Sequence, residues 1–337
     1  MRNFKNILIT GGSGFIGSNF IRILLHDIET SGNKVKVINF DKLTYAGKIS
    51  NNKDYKNNKN YEFVQGDICS HEEVTSVLKK HDIDLIINFA AESHVDNSIS
   101  GPEEFIQTNI LGTFNLLKCF DNHRKELSSE SAFLHVSTDE VYGSLDINES
   151  KFTELNSYKP NSPYSASKAS SDFLVRAWHK TYKLNTLITN CSNNYGPFQD
   201  TEKLIPKVIM NALNMKAIPI YGNGLNIRDW LYVDDHCKGI IKVFRNGAYG
   251  ETYNIGGLNE KTNLEIVNLI CKILDEIHPS NESYSNLITF VKDRPGHDFR
   301  YSINPDKIMN DLGWYPQETF ETGIEKTILW YLDEYKN

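Results

Sequence analysis

Ile7-Leu8-Ile9-Thr10 runs directly into Gly11-Gly12-Ser13-Gly14-Phe15-Ile16-Gly17, which reads as a strand, a glycine turn and the opening of a helix. The short apolar run has the composition of a buried strand. Glycines at 11, 14 and 17 permit a tight turn and let backbone N–H groups come close to a ligand, and the helix that starts at Phe15 and Ile16 points its positive end the same way. A pyrophosphate is the ligand that such an end holds. Glycine turns without ligands are common, so the context decides: a second apolar run ends in Asp41, close to the spacing of about 20 residues expected for the acidic partner of such a loop.

Outward from this loop, Val35 to Phe40, Tyr61 to Val64, Leu85 to Phe89 and Phe133 to Ser137 read as strands without polar alternation, which suits a parallel sheet covered on both faces. Phe15 to Leu25, Glu72 to Lys80, Phe105 to Phe120 and Tyr164 to Tyr182 carry helical spacing between them. The pattern predicts an α/β protein with a Rossmann-type doubly wound parallel sheet. After Leu187 to Cys191 the rhythm changes, with Pro197, Pro206 and Pro219 and shorter elements such as Ile218 to Tyr221 and Asn263 to Ile277. The expectation is a nucleotide-binding domain over 1–190 and a smaller C-terminal substrate-binding lobe, mainly 191–337, interleaved in one compact body because no Pro/Gly/Ser-rich linker divides them. The Asn/Lys-rich stretch from Lys48 to Asn60 reads as a solvated surface loop.

At 337 residues and 39% hydrophobic composition, the chain is long enough to enclose a cofactor and a substrate together. Its net charge of −7 and pI near 5.8 argue against nucleic acid or an anionic membrane as the main partner, though a local pair of Arg can still hold a phosphorylated ligand. Five scattered cysteines without a CxxC form neither a disulfide framework nor a zinc pattern, and the ten His show no paired ligand spacing. No metal is expected. With no apolar leader at the start and no run long enough to span a bilayer, the reading is a cytoplasmic protein.

Asp41 at the end of the second strand is placed to accept hydrogen bonds from ribose hydroxyls and to repel a 2′-phosphate, which favours NAD over NADP. The competing reading is an Asp that only caps its loop. Asp67 and Ile68 follow the third strand, where they can flank an adenine, and Ala90 and Ala91 follow the fourth with the small side chains needed beside a cofactor. Tyr164 and Lys168 lie four apart on one helix face. A free Tyr, with a pKa of about 10, becomes a usable base only when a nearby positive charge stabilises its anion, and Lys168 with a positive nicotinamide can supply that charge.

With the glycine loop upstream, Tyr164-Ser165-Ala166-Ser167-Lys168 resembles the YxxxK signature of the extended short-chain dehydrogenase/reductase family. The runs Thr138-Asp139-Glu140-Val141-Tyr142-Gly143, Ala90-Ala91-Glu92-Ser93-His94-Val95-Asp96 and Ser192-Asn193-Asn194-Tyr195-Gly196-Pro197 are similar to its dTDP-glucose 4,6-dehydratase branch, over about Ile7 to Trp330. The resemblance implies an NAD-dependent lyase: C4 of dTDP-glucose is oxidised, water is eliminated across C5–C6, and the hydride returns to C6. It makes Thr138 the hydroxyl beside the substrate oxygen, Tyr164 its base, Lys168 the supporting cation, Asp139 the acid for the C6 hydroxyl and Glu140 the base for C5. Adjacent carboxylates in an extended strand point to opposite faces, so both reach one substrate only if the chain bends there.

By the same match, Arg228 and Arg294, both expected in loops, are candidate diphosphate clamps, and Ser93, Asn193, Lys203, Asn263, His297 and Tyr301 are candidate substrate contacts. The pattern departs at Asn97, Asn190 and Phe299, where Arg is common, and at Asp200-Thr201. A homodimer through helices near 105–120 and 164–182 is the implied assembly. Alternatives are another nucleotide-sugar dehydratase, such as one for GDP-mannose, a 4-epimerase, or a catalytically silent NAD-sensing protein on the same fold.

Overall fold

The computed structural model describes residues 1–32, 34–293 and 296–336. The chain runs β1 (Asn6–Thr10), α1 (Phe15–Ser31), β2 (Lys36–Asp41), β3 (Tyr61–Gln65), α2 (His71–Lys80) and β4 (Leu85–Asn88). Two short helices, α3 (Val95–Ser100) and α4 (Glu103–Phe105), lead through a wide turn to α5 (Thr113–His123), β5 (Ala132–Thr138), α6 (Pro163–Tyr182) and β6 (Thr186–Cys191). Then come β7 (Asn193–Tyr195), α7 (Leu204–Leu213), β8 (Ile218–Tyr221), β9 (Ile227–Tyr232), α8 (Val233–Asn246) and β10 (Thr252–Ile255). The chain continues through β11 (Glu260–Thr262), α9 (Asn263–Ile277), β12 (Ile288–Val291), β13 (Arg300–Tyr301), α10 (Asp306–Leu312) and α11 (Phe320–Lys336).

Seven strands form one parallel sheet in the order β10-β6-β5-β4-β1-β2-β3. The order reverses between β1 and β4, so the crevice for a ligand opens at the carboxyl ends of those strands. Alternate residues feed two cores. Ile7, Ile9, Val37, Ile87 and Leu134 face α1 and α8 with Phe20, Leu24, Ile240 and Phe244. Leu8, Ile38, Ile86, Phe133 and Ile188 face α2, α5 and α6 with Leu78, Leu117, Phe120 and Val175. Burial on both faces explains why these strands lack polar alternation. A third core, with Ile209, Trp230, Ile270 and Ile328, lies under β8, β9, α7, α9 and α11. The two halves interleave, because β10 pairs with β6 and α8 packs on α1 although both follow residue 191.

One expectation needs correction and another is refined. The segment 48–60 is not simply a solvated loop: it contains a short 3₁₀ turn, Ile49–Asn52, and buries Asn51, Asn52 and Tyr55. Its amides are used inward, as described below. The helix expected over 105–120 is present within a continuous helical stretch from Glu103 to His123, and it widens to a π-helix over Ile106–Gly112. Asn109 inside it is buried and bonds Glu92 N (2.9 Å), Glu92 O (3.0 Å) and Ser167 Oγ (2.8 Å), tying the loop after β4 to α6. Helical periodicity alone does not report such a widening.

Candidate active site

A cavity of about 340 Å³ opens at the switch between β1 and β4. One end is the glycine loop. Gly11 has φ +68°, and a Cβ there would stand 2.7 Å from Ala90 N, so only glycine lets the loop pass the chain after β4. At Gly17 a Cβ would stand 2.3 Å from Gly11 O, so α1 seats directly on the turn. Gly14 caps α1 without a side-chain bond, and the first turn of α1 carries no acid. Its N–H groups therefore suit an anion.

Asp41 is buried beside this loop. Its carboxylate accepts from Ser13 N (2.9 Å) and Leu43 N (2.8 Å), while burial, the larger influence, pushes its pKa up. Two amides leave a carboxylate with further acceptor capacity toward the cavity. Ser13 is itself held by Asn39, Asn51 and Asn52, whose side-chain amides lie 2.9–3.1 Å from it. The Asn-rich stretch is thus the support of the glycine loop. Asp67 pairs with Lys42 (2.8 Å) and accepts from Cys69 N (2.8 Å), and Asp67, Ile68, Ala90 and Ala91 all line the cavity with Gly11, Gly14, Phe15, Ile16, Gly17 and Asp41. This arrangement fits a dinucleotide: an uncapped helix end for the pyrophosphate, a carboxylate at the end of β2, and small residues after β4.

At the other end stand Thr138, Asp139, Glu140, Tyr164 and Lys168. β5 stops at Thr138 and turns at once into a 3₁₀ segment, Asp139–Tyr142, capped by Thr138 Oγ1 accepting from Glu140 N at 3.3 Å. That is the bend which brings both carboxylates to one cavity. Thr138 Oγ1 also donates to Asp139 Oδ1 at 3.4 Å. Ser162 and Ser165 form a capping box that starts α6 at Pro163 and fixes Tyr164 in its first turn.

Burial dominates the electrostatics. It pushes the Asp139 carboxyl well above the usual carboxylate range, and the negative neighbours Glu140 and Asp229 push the same way. Asp139 Oδ2 has no hydrogen-bond partner among the described residues. Burial and these neighbours therefore favour the protonated form of this carboxyl. Tyr164 is raised well above an ordinary phenol, first by burial and then by Glu140, and a hydrogen bond with Thr138 opposes this. In the protein alone Tyr164 is a phenol. Lys168 is pulled down to about 8, by burial first.

Of the expected substrate contacts, Ser93, Asn193 and Lys203 line this cavity, and Lys203 Nζ donates to Ser93 O at 2.9 Å. Arg228, Asn263, His297 and Tyr301 do not line it; they stand in and around the small sheet of the C-terminal lobe. Arg228 is not in a loop but buried in β9, over the Tyr301 ring at 4.3 Å, and it donates to Asp298 O at 2.9 Å. Tyr301 donates to the Asp298 carboxylate, His297 Nδ1 lies 2.6 Å from Asp293, and Asn263 opens α9. Arg294 lies outside the described residues.

Sequence reasoning missed Glu92, Thr108 and Gln199 on the cavity wall, and the polar groups beneath Lys168. For the latter a signal existed, since Asp172 follows Lys168 by one helical turn.

The profile of the family described as GDP-mannose 4,6 dehydratase matches residues 8–327. A dTDP-glucose 4,6-dehydratase of Shigella flexneri is 53% identical over 97% of this chain and 92% of its own. Among solved structures, the chain is similar to dTDP-glucose 4,6-dehydratase of Bacillus anthracis in complex with NAD, with 46% identity, a TM-score of 0.87 and 98% of each chain covered. It is also similar to DesIV, the dTDP-glucose 4,6-dehydratase of Streptomyces venezuelae, with NAD bound, at 42% identity, a TM-score of 0.91 and 98% of each chain.

Proposed function

This chain belongs to the dTDP-glucose 4,6-dehydratases of the extended short-chain dehydrogenase/reductase family, and from that premise we propose how its residues carry the reaction. It is an NAD-dependent lyase that converts dTDP-glucose into the 4-keto-6-deoxy product, a step of deoxysugar biosynthesis. The observation that supports the assignment of roles is the convergence of Thr138, Asp139, Glu140, Tyr164 and Lys168 on a cavity whose other end is the glycine loop.

NAD, when bound, takes up the C4 hydrogen with its electron pair and gives it back at C6. Gly11, Gly14, Phe15, Ile16 and Gly17 would hold its pyrophosphate, Asp41 its ribose, Asp67 and Ile68 would flank its adenine, and Ala90 and Ala91 would leave room for it beside the sheet. Tyr164 takes the proton of the C4 hydroxyl, with Thr138 bonded to the same oxygen and Lys168 stabilising the phenolate. The 4-ketone acidifies C5, where Glu140 removes the proton, exchanges it with solvent and later delivers a solvent-derived proton to C5. Asp139, protonated because it is buried among carboxylates, gives its proton to the C6 hydroxyl, which leaves as water. Ser93, Asn193 and Lys203, which line the cavity, are its sugar-nucleotide contacts, and Arg228, Asn263, His297 and Tyr301 of the C-terminal lobe are offered for the same ligand by the family match.

The finer setting is also our reading. Among the described residues no helix is long and apolar enough to cross a membrane, and a cytoplasmic location fits the scattered free cysteines. A homodimer fits the exposed Ile106, Leu111 and Phe114 beside Phe173 and Tyr182, where Phe114 and Trp178 bring the two helical stretches together. Sedimentation of the pure protein checks this: a monomer would end the dimer proposal.

The test of function is incubation with dTDP-, UDP- and CDP-glucose and GDP-mannose, followed by product mass. Loss of water from the dTDP sugar in preference to the others is expected. Loss only from GDP-mannose, or none, would refute the substrate.

A further inference from the structure

Beneath Tyr164 and Lys168 lie buried polar groups, His135, Ser137 and Asp172, to which the proposed reaction gives no part. Lys168 donates to Val136 O at 2.8 Å, and its Nζ stands 3.3 Å from His135 Nε2. The same ring nitrogen is 3.6 Å from Asp172 Oδ1. Asp172 lies one turn beyond Lys168 on α6 and is 0% exposed. Its Oδ2 accepts from Ser137 Oγ and Tyr158 OH, both at 3.0 Å. Its Oδ1 has no hydrogen-bond partner among the described residues and faces the ring nitrogen next to Lys168.

A buried carboxylate oxygen left without a donor is costly unless a nearby cation uses its charge. A buried ammonium without a counterion gives up its proton. The two problems meet at one ring nitrogen, His135 Nε2, which stands 3.3 Å from Lys168 Nζ and 3.6 Å from Asp172 Oδ1. We propose that Asp172, acting across a neutral His135, is the counterion that keeps Lys168 an ammonium, so that Asp172 and His135 are positioning residues that set the acidity of Tyr164. This rests on the reading of Tyr164 as the base.

The surroundings agree. Burial and the neighbouring Lys168 both hold His135 neutral, so the ring is not a second cation. Burial draws Lys168 down to about 8 while Asp172 holds it up, and burial pushes Asp172 up to about 6 while Lys168 is the strongest influence holding it down. The other titratable groups are Cys191 on β6 facing Lys168, Tyr158 and Arg176 on the far side of Asp172, and Asp139 and Glu140 on the Tyr164 side. Asn88 Nδ2 stands 3.1 Å from His135 Nδ1 and holds the ring from behind.

The test reads the phenolate of Tyr164 by ultraviolet absorbance against pH, each protein being compared with the same protein carrying Tyr164→Phe, with NAD bound. In Asp172→Asn, which keeps the shape and can still bond Ser137 and Tyr158, the midpoint is expected to rise by about one unit or more. Turnover at neutral pH then falls about tenfold for each unit and recovers as pH is raised. Asp172→Glu restores most of both. Asp172→Ser, smaller and neutral, must move the midpoint the same way, and serves if the Asn variant does not fold. Turnover lost with the midpoint unmoved or lowered would make Asp172 only structural and overturn the proposal. Full turnover in Tyr164→Phe alone would instead overturn the base assignment.

Discussion

Replacing Gly17 by Ala tests the cofactor end of the site. The added Cβ would sit 2.3 Å from Gly11 O and 2.8 Å from Gly12 Cα, both backbone atoms that no rotamer change can move. To reach a comfortable contact of about 3.5 Å, the glycine turn has to retreat from α1 by roughly 1.2 Å. That displacement carries the loop amides away from the first turn of α1, where they converge on a pyrophosphate. A misplacement of about 1 Å at such a contact is worth on the order of 10²-fold, and overpacking of this kind destabilises a fold by about 1–3 kcal/mol. Gly17→Ala should therefore fold, unfold at a modestly lower denaturant concentration, and lose NAD affinity by roughly 10- to 100-fold. Calorimetric titration of the NAD-stripped protein measures the loss. Gly101→Ala is the control, because its Cβ would meet only Asn97 O at 3.9 Å. Unchanged NAD affinity in Gly17→Ala, or an equal loss in Gly101→Ala, would refute this reasoning.

Other outcomes follow from the catalytic end. Tyr164→Phe should lower kcat by roughly 10²-fold or more and leave substrate binding nearly intact by calorimetry; lost binding with surviving turnover would make Tyr164 a contact and not a base. Asp139→Asn and Glu140→Gln should still allow oxidation at C4, so reduced-coenzyme absorbance should build up on mixing with dTDP-glucose while dehydrated product is suppressed; product at the normal rate would remove both from the elimination. Lys168, held at about 8 in the fold, returns to 10.5 in the unfolded chain. Between those values the unfolded chain binds the extra proton, so stability rises with pH there, and the burial penalty is fully present below 8. Denaturant unfolding of Lys168→Met on either side of that window should lack this rise; the same rise in the variant would mean another group causes it.

The sheet was legible because its strands are buried on both faces, so Ile7 to Thr10 and Leu85 to Phe89 read as continuous apolar runs. The glycine loop and the Tyr164–Lys168 pair were legible because their chemistry is local in sequence. What required coordinates depends on distant partners. Asn51 and Asn52 look like surface residues until Ser13, nearly 40 positions away, is placed against them. Within the π turn at Ile106–Gly112, Asn109 bonds Glu92 and Ser167, partners that its own stretch of sequence does not announce. Arg228 sits in a polar context, Asn226-Ile227-Arg228-Asp229, that suggests a loop, yet pairing of β9 with β7, β11 and β13 makes it a buried strand. The bend after Thr138 was posed as a condition by the adjacent carboxylates and is met by the 3₁₀ turn.

Whether Asp139 and Glu140 carry out an elimination is tested most directly by isotope placement in the product. In D₂O the protein should release a sugar nucleotide lighter by one water, with solvent deuterium at C5; from dTDP-glucose deuterated at C4 in ordinary water, the label should appear at C6. A product that keeps its 6-hydroxyl, or carries no solvent deuterium at C5, would contradict the account.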